Sequence, residues 1–212
     1  MRQLLIVGCG GHAKVVTDLV RARGDYNVAG FIAHDARRPT RSDIPLLGCD
    51  NDLPKLRQQG IVNAVVAVGD NGRRRDLGMH LIELGFNLVT VVSPAATLAP
   101  SVQLGAGVVV MAGAVINAES RIGSHVIINT HASVDHDCVV GEAVHLAPGA
   151  VLTGNVKIDR LAFIGAAASV IPNVTIGERA IIGAGSCVIR DIPAGATAWG
   201  VPAKVMRNGE PR

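Results

Sequence analysis

The densest concentration of potentially reactive side chains in this chain is NTHASVDHDCVVGEAVH, residues 129–145, where His131, His136 and His145 stand with Asp135, Asp137 and Cys138. Three chemistries use such residues. Imidazoles and carboxylates converging on one point hold a metal ion. A thiol beside an imidazole is a nucleophile. A histidine whose one ring nitrogen is bonded to a carboxylate presents the other as a general base. Which of these applies depends on where each side chain points, and so on the element that carries it.

That element is written in a repeat. From Leu98 to Val188 an aliphatic residue recurs every six positions, as in Ile116, Ile122, Ile128, Val134 and Val140. Four positions after each comes a small or β-branched residue, as in Ser120, Val126, Ala132, Cys138 and Val144. A period of six is wrong for a helix, but being even it keeps strand alternation in phase. Hexapeptide repeats build β-helices, in which short strands and tight turns stack coil on coil. Three hexapeptides make one triangular coil, so equivalent positions recur at 18. Such a narrow interior admits aliphatics and hardly any rings, in keeping with five aromatics against 25 glycines.

The repeat sorts the reactive residues. Cys138 falls in the inward small-residue slot and reads as core, where a thiol is a poor nucleophile. His131, His136 and His145 occupy the fourth, third and sixth positions of their hexapeptides. They do not share a register, which disfavours a metal site. His136, between Asp135 and Asp137, is either a solvated surface pair or a base whose tautomer a carboxylate fixes, as acyl transfer to an amine or hydroxyl requires.

The first ~92 residues alternate strand and helix: QLLIV, a glycine-opened helix to about Gly24, NVAGFIA, a short helix over NDLPKLRQQG, VNAVVAVG, a helix over GRRRDLGMHLIELG, and a strand LVTVVS. This implies a parallel sheet. The expected division is an α/β Rossmann-like half-domain over 1–93, a parallel β-helix over 94–198 and a C-terminal tail over 199–212. In the first part Gly8-Cys9-Gly10-Gly11-His12-Ala13 follows a strand and opens a helix, matching G-x-G-x-x-A, with Asp35 expected at the end of the next strand. A dinucleotide needs two mononucleotide halves and only one is present, so a nucleotide diphosphate at the helix N-terminus is the first reading. A nicotinamide cofactor and a merely tight turn stay open. Gly69-Asp70-Asn71 ends the third strand at the same carboxyl edge, as a binding element or a helix cap.

The chain has 20 basic and 17 acidic residues, a balance of +3, and no aromatic-rich basic face, which argues against nucleic acid. No apolar run approaches the ~20 residues of a membrane span, and the start MRQLLIVGCGG is too short in apolar residues for a signal peptide. A cytoplasmic protein with four reduced cysteines is expected.

The glycine-opened half-domain, the unbroken hexapeptides, the segment INTHASVDHDCVVGEAVHLAPGAVLTGNVKI and the closing WGVPAKVMR resemble the sugar O- and N-acetyltransferases typified by the bacillosamine-pathway and sialic-acid enzymes. The resemblance spans essentially the whole chain. It implies a left-handed β-helix, a homotrimer with the active site between subunits, acetyl-CoA along the prism and a nucleotide sugar on the N-terminal domain. On matching positions His136 is the general base and Asp137 the acid that raises its basicity, where many relatives carry Glu. His145, Ala166 and Ala184 would contact acetyl-CoA. Gly10, Gly11, His12, His34, Asp35 and Gly69 would surround the nucleotide sugar. Relatives commonly carry an acidic run after the second strand, where this chain has Ala33-His34-Asp35.

The reading that follows is N-acetylation of the 4-amino group of a nucleotide-linked 4-amino-4,6-dideoxy sugar, with UDP placed first and GDP and dTDP as alternatives, and with no metal. O-acetylation of a sugar such as sialic acid, a non-catalytic β-helix scaffold and an NAD-dependent enzyme are the rivals.

Overall fold

The computed structural model describes residues 1–33 and 43–207. The chain divides into two compact units, the first ending at Pro94 and the second beginning at Ala95.

The first unit is a parallel sheet of β1 (Arg2–Val7), β2 (Tyr26–Ile32), β3 (Leu46–Gly48), β4 (Asn63–Val66) and β5 (Asn87–Leu88), in spatial order β3-β2-β1-β4-β5. Helices α1 (Gly11–Arg23), α2 (Leu53–Gln58) and α3 (Asn71–Glu83) connect them. Central β1 is apolar on both faces, and Leu4, Leu5, Ile6 and Val7 are all buried, as a strand covered on both sides requires. Helix α1 buries Ala13, Val16, Leu19 and Val20 and ends at Gly24, whose left-handed φ of 73° lets its N–H reach the Val20 carbonyl. Helix α3 starts at Asp70, whose carboxylate accepts the Arg73 N–H at 2.8 Å.

Two details depart from the sequence pattern. The short strand β3 was hidden because LLG is too brief to show a period. LVTVVS is two strands, Asn87–Leu88 and Val91–Val92, and between them the Thr90 carbonyl accepts a hydrogen bond from Arg23 at 2.7 Å.

The chain passes from β1 to β2 and β3 on one side, then returns to β4 and β5 on the other. The loops after β1 and β4 therefore leave the carboxyl edge side by side at a switch point, the place where open α/β sheets hold ligands. Gly8 shows how closely they pass: at φ 118° it would place a Cβ 2.6 Å from the Ala67 carbonyl oxygen.

The second unit is a left-handed parallel β-helix of two-residue strands whose partners lie 18 residues apart, as in Val115–Ile116 beside Ser133–Val134 and Ser133–Val134 beside Val151–Leu152. The aliphatic of each strand and the small residue of each turn point inward, so Ile116, Val134, Leu152, Val170, Ala132, Ala150 and Cys138 are buried. One periodic feature was not read from the sequence. The fourth hexapeptide position is left-handed, at Glu119, His125, His131, Asp137 and Ala143 and onward to Arg179, with glycine at 107, 113, 149 and 185.

The expected C-terminal tail is also structured. Thr197–Gly200 continues one face of the prism beside Ile181–Ile182, and Ala203–Arg207 turns back on it antiparallel. Gly200, at φ 110°, permits the reversal.

Candidate functional site

In the prism, His136 and Asp137 form the turn between the strands Ser133–Val134 and Val139–Val140. The coils on either side fix that turn. The Asp137 N–H donates to the Ala118 carbonyl at 3.0 Å, and the His136 carbonyl accepts from Asn155 N–H at 2.9 Å. Asp137 takes the left-handed position with φ 59°, which Asp tolerates better than most residues. This conformation brings its carboxylate back to its neighbour, so that His136 Nδ1 lies 2.8 Å from Asp137 Oδ2. With Nδ1–H donating to the carboxylate, Nε2 is left as the acceptor. The pair is open to solvent, each side chain 59% exposed.

The hydrogen bond to Asp137 raises the His136 pKa above the ordinary histidine value, and the charge of Asp135 adds to it. Asp135 has a separate role. Its Oδ1 accepts from Asn117 Nδ2 and from the His136 N–H, each at 2.9 Å, and these two bonds hold its carboxyl below the usual range. Asp135 thus clamps the backbone of His136 while Asp137 orients the ring. Gly154, one coil on, floors the ring: a Cβ there would lie 2.6 Å from Cε1 and 2.7 Å from Nε2 of His136.

The other reactive residues of the segment separate as the register requires. Cys138 is fully buried, and burial pushes its thiol pKa up, which rules it out as a ready nucleophile. His131 lies against Gly113 rather than toward His136. His145 belongs to the next face, where Nε2 stands 3.1 Å from Asn129 Nδ2 and the ring meets Phe163 edge-on at 5.2 Å. Ala166 and Ala184 are exposed on the corner that follows that face, one coil apart, and the Ala166 carbonyl accepts the Gly185 N–H at 2.8 Å. Within one chain, then, His145, Ala166 and Ala184 share a side of the prism, and His136 and Asp137 occupy a different edge. Among the described residues no group of three or more His, Cys, Asp or Glu could hold a metal ion.

At the switch point of the first unit, Gly10, Gly11 and Gly69 differ from Gly8. A Cβ on any of the three would meet nothing within 4 Å, so the fold does not need glycine there. Gly10 precedes α1 without a side-chain cap, and the first turn of α1 carries no acidic residue. His12 is mostly buried, and its Nε2 finds no hydrogen-bond partner among the described residues. Burial, and then the charge of Arg74, lower its pKa to about 4.

Arg74 stands in the run Arg73-Arg74-Arg75, yet it is the largest fully buried side chain among the described residues. It donates to the carbonyls of Val68 and Gly69 at 3.2 and 2.9 Å and to Asn71 Oδ1 at 2.8 Å. Burial lowers its pKa to about 10, which leaves it charged at neutral pH. A cation held behind the 68–71 loop, close enough to His12 to lower its pKa, is suited to a diphosphate at the helix N-termini. His34 and Asp35 lie outside the described residues.

A hexapeptide β-helix bearing a histidine–carboxylate pair, preceded by a Rossmann-like half-domain, defines the class of hexapeptide acyltransferases with an α/β N-terminal domain. Residues 3–81 match the PglD N-terminal domain family. Over 98% of both chains, the fold superposes on PerB from Caulobacter crescentus in complex with CoA and GDP-perosamine, with a TM-score of 0.94 and 48% identity. The acetyltransferase domain of PglB from Neisseria gonorrhoeae FA1090 in complex with acetyl coenzyme A matches over 97% of this chain and 99% of that one, with a TM-score of 0.90 and 39% identity. UDP-N-acetylbacillosamine N-acetyltransferase of Bacillus subtilis (strain 168) is 39% identical over 113 residues, 53% of this chain and 52% of that protein. The chain thus spans about half the length of this curated relative. It belongs to the sugar N-acetyltransferase family.

Proposed function

We propose that the protein transfers acetyl from acetyl-CoA to the amino group of a nucleotide-linked 4-amino-4,6-dideoxy sugar, and that the nucleotide is GDP. The observation that carries the reading is the His136–Asp137 pair, with Nε2 free to accept a proton, in a chain that matches PerB bound to CoA and GDP-perosamine along nearly its whole length. The sequence alone put UDP first. The match to the UDP-N-acetylbacillosamine enzyme spans half of each protein, and the weight moves to GDP.

The chemistry needs no acyl-enzyme. The amine nitrogen attacks the thioester carbonyl, His136 Nε2 takes the nitrogen's proton, and the C–S bond breaks to release the CoA thiolate. His145, Ala166 and Ala184 would hold the coenzyme. Gly10, Gly11, His12 and Gly69, with Arg74 behind them, would hold the diphosphate, and His34 and Asp35 are assigned to the same substrate-binding set. Because the His136 edge and the His145 side are separate within one chain, the active site is assigned to the junction of adjacent subunits in a homotrimer. The protein is assigned to the cytoplasm, where acetyl-CoA and nucleotide sugars are both present; no helix among the described residues is long and apolar enough to cross a membrane.

The open space at Gly10, Gly11 and Gly69 favours this reading over O-acetylation of a free sugar, in which the glycine loop would serve structure only. A thiol-release assay with GDP-, UDP- and dTDP-linked 4-amino sugars and free sialic acid tests it. Highest kcat/KM with the GDP sugar is expected. Turnover of sialic acid alone, or of no acceptor, would overturn the assignment.

A further inference from the structure

The turn that carries His136 is spanned from inside the prism. Ser120, fully buried in the coil below, donates its hydroxyl to the Asp135 carbonyl at 2.6 Å and accepts the Cys138 N–H at 3.0 Å. One side chain thus bridges the two ends of the four-residue turn 135–138. At several other turns the same two backbone groups bond to each other directly. Two coils below on the same edge, Val102 N–H reaches the Ala99 carbonyl at 3.1 Å, and at another corner Ala132 N–H reaches the Asn129 carbonyl at 3.0 Å.

Cys138 repeats the device one coil higher. Its Sγ contacts the Thr153 carbonyl at 3.2 Å, and the Val156 N–H also reaches the sulfur. The turn so spanned, 153–156, contains Gly154, against which the His136 ring packs.

We propose that Ser120 and Cys138 are positioning residues for His136: stacked inward polar groups that hold open the turn bearing the base and the turn its ring packs against. This rests on the reading of His136 as the base. Neither side chain touches substrate. Both occupy a slot that the repeat otherwise fills with Ala or Val except at Ser186 and Ile192, so the hydroxyl and thiol are not demanded by packing. Removing the Ser120 hydroxyl leaves a buried N–H and a carbonyl either unpaired or drawn into the direct bond, and each outcome moves the His136–Asp137 peptide.

The test is Ser120→Ala, with Ser120→Cys, Cys138→Ala and His136→Ala in parallel, assayed for kcat, KM for acetyl-CoA, pH profile and melting temperature. Alanine is common in this slot, so S120A is expected to fold. Its kcat should fall about 10- to 100-fold, the cost of a small displacement of a reacting group. KM for acetyl-CoA should hold, and the acid-limb inflection of kcat/KM should move down as the contact with Asp137 loosens. S120C should recover most of the rate, since sulfur does the same work at Cys138. C138A should lower kcat in the same sense and is informative even if S120A misfolds. Native kcat and inflection in S120A, or in C138A where S120A does not fold, would overturn the proposal provided H136A is inactive. A near-native H136A would instead overturn the assignment of the base.

Discussion

Gly154 and His136 are in contact across one coil of the prism, and the contact leaves no room for a side chain on the glycine. The two are 18 residues apart, so the repeat itself sets one above the other. The backbone at Gly154 is not in the left-handed region, and alanine can adopt it. Gly154→Ala should therefore fold with a near-native melting temperature while pushing the imidazole off its floor. A fall in kcat of about 10-fold or more, with KM for acetyl-CoA unchanged, is the expected outcome. Full activity would mean that the ring does not work from this position.

Asp137 gives a second handle. Its bond to Nδ1 raises the His136 pKa, so in the native enzyme the acid limb of kcat/KM should have its inflection above 6.5. Asp137→Asn keeps an acceptor but removes the charge. The protonated imidazole then loses its main stabilisation, the inflection should move to lower pH, and the plateau rate should fall because the neutral ring is a weaker base. An inflection that stays put in D137N would detach the limb from His136.

Much of this arrangement was legible in advance. The six-residue period determines which residues face in and separates Cys138 from His136, and the strand–helix alternation gives the first unit apart from β3. The 18-residue offset also held more than was taken from it, since 136 plus 18 is Gly154, 135 minus 18 is Asn117 and 138 minus 18 is Ser120. Arg74 was hidden for another reason. Within Arg73-Arg74-Arg75 composition cannot tell which residue turns inward; that is decided by the cap at Asp70 and by the carbonyls of Val68 and Gly69, contacts of the first turn of α3 with the loop before it that no period encodes. The left-handed fourth position was hidden because seven non-glycine residue types occupy it, Leu161 and Arg179 among them, held by the ladder rather than by local preference.

The glycines of the first unit should divide by role. Alanine at Gly8 would strike the Ala67 carbonyl from a left-handed φ and should lower stability by roughly 1–3 kcal/mol. Alanine at Gly10, Gly11 or Gly69 meets open space and should leave the melting temperature within a degree or two. If these residues line a diphosphate site, the same three variants should weaken GDP binding by calorimetry, and near-native affinity in all three would move the nucleotide elsewhere.

His12 predicts a pH dependence of stability with a definite sign. Its folded pKa of about 4 lies below the ordinary 6.5, so between those values the unfolded chain binds a proton that the folded chain does not. The contribution is complete above pH 6.5 and is lost as pH falls through 4, amounting to roughly 3 kcal/mol across the window. Urea denaturation at pH 7 and pH 4.5 should show this loss in the native protein and a smaller one in His12→Gln. Saturating GDP should also narrow it, because a diphosphate beside the imidazole favours the protonated form and raises its folded pKa toward the unfolded value. An equal drop with and without GDP would place the diphosphate away from His12.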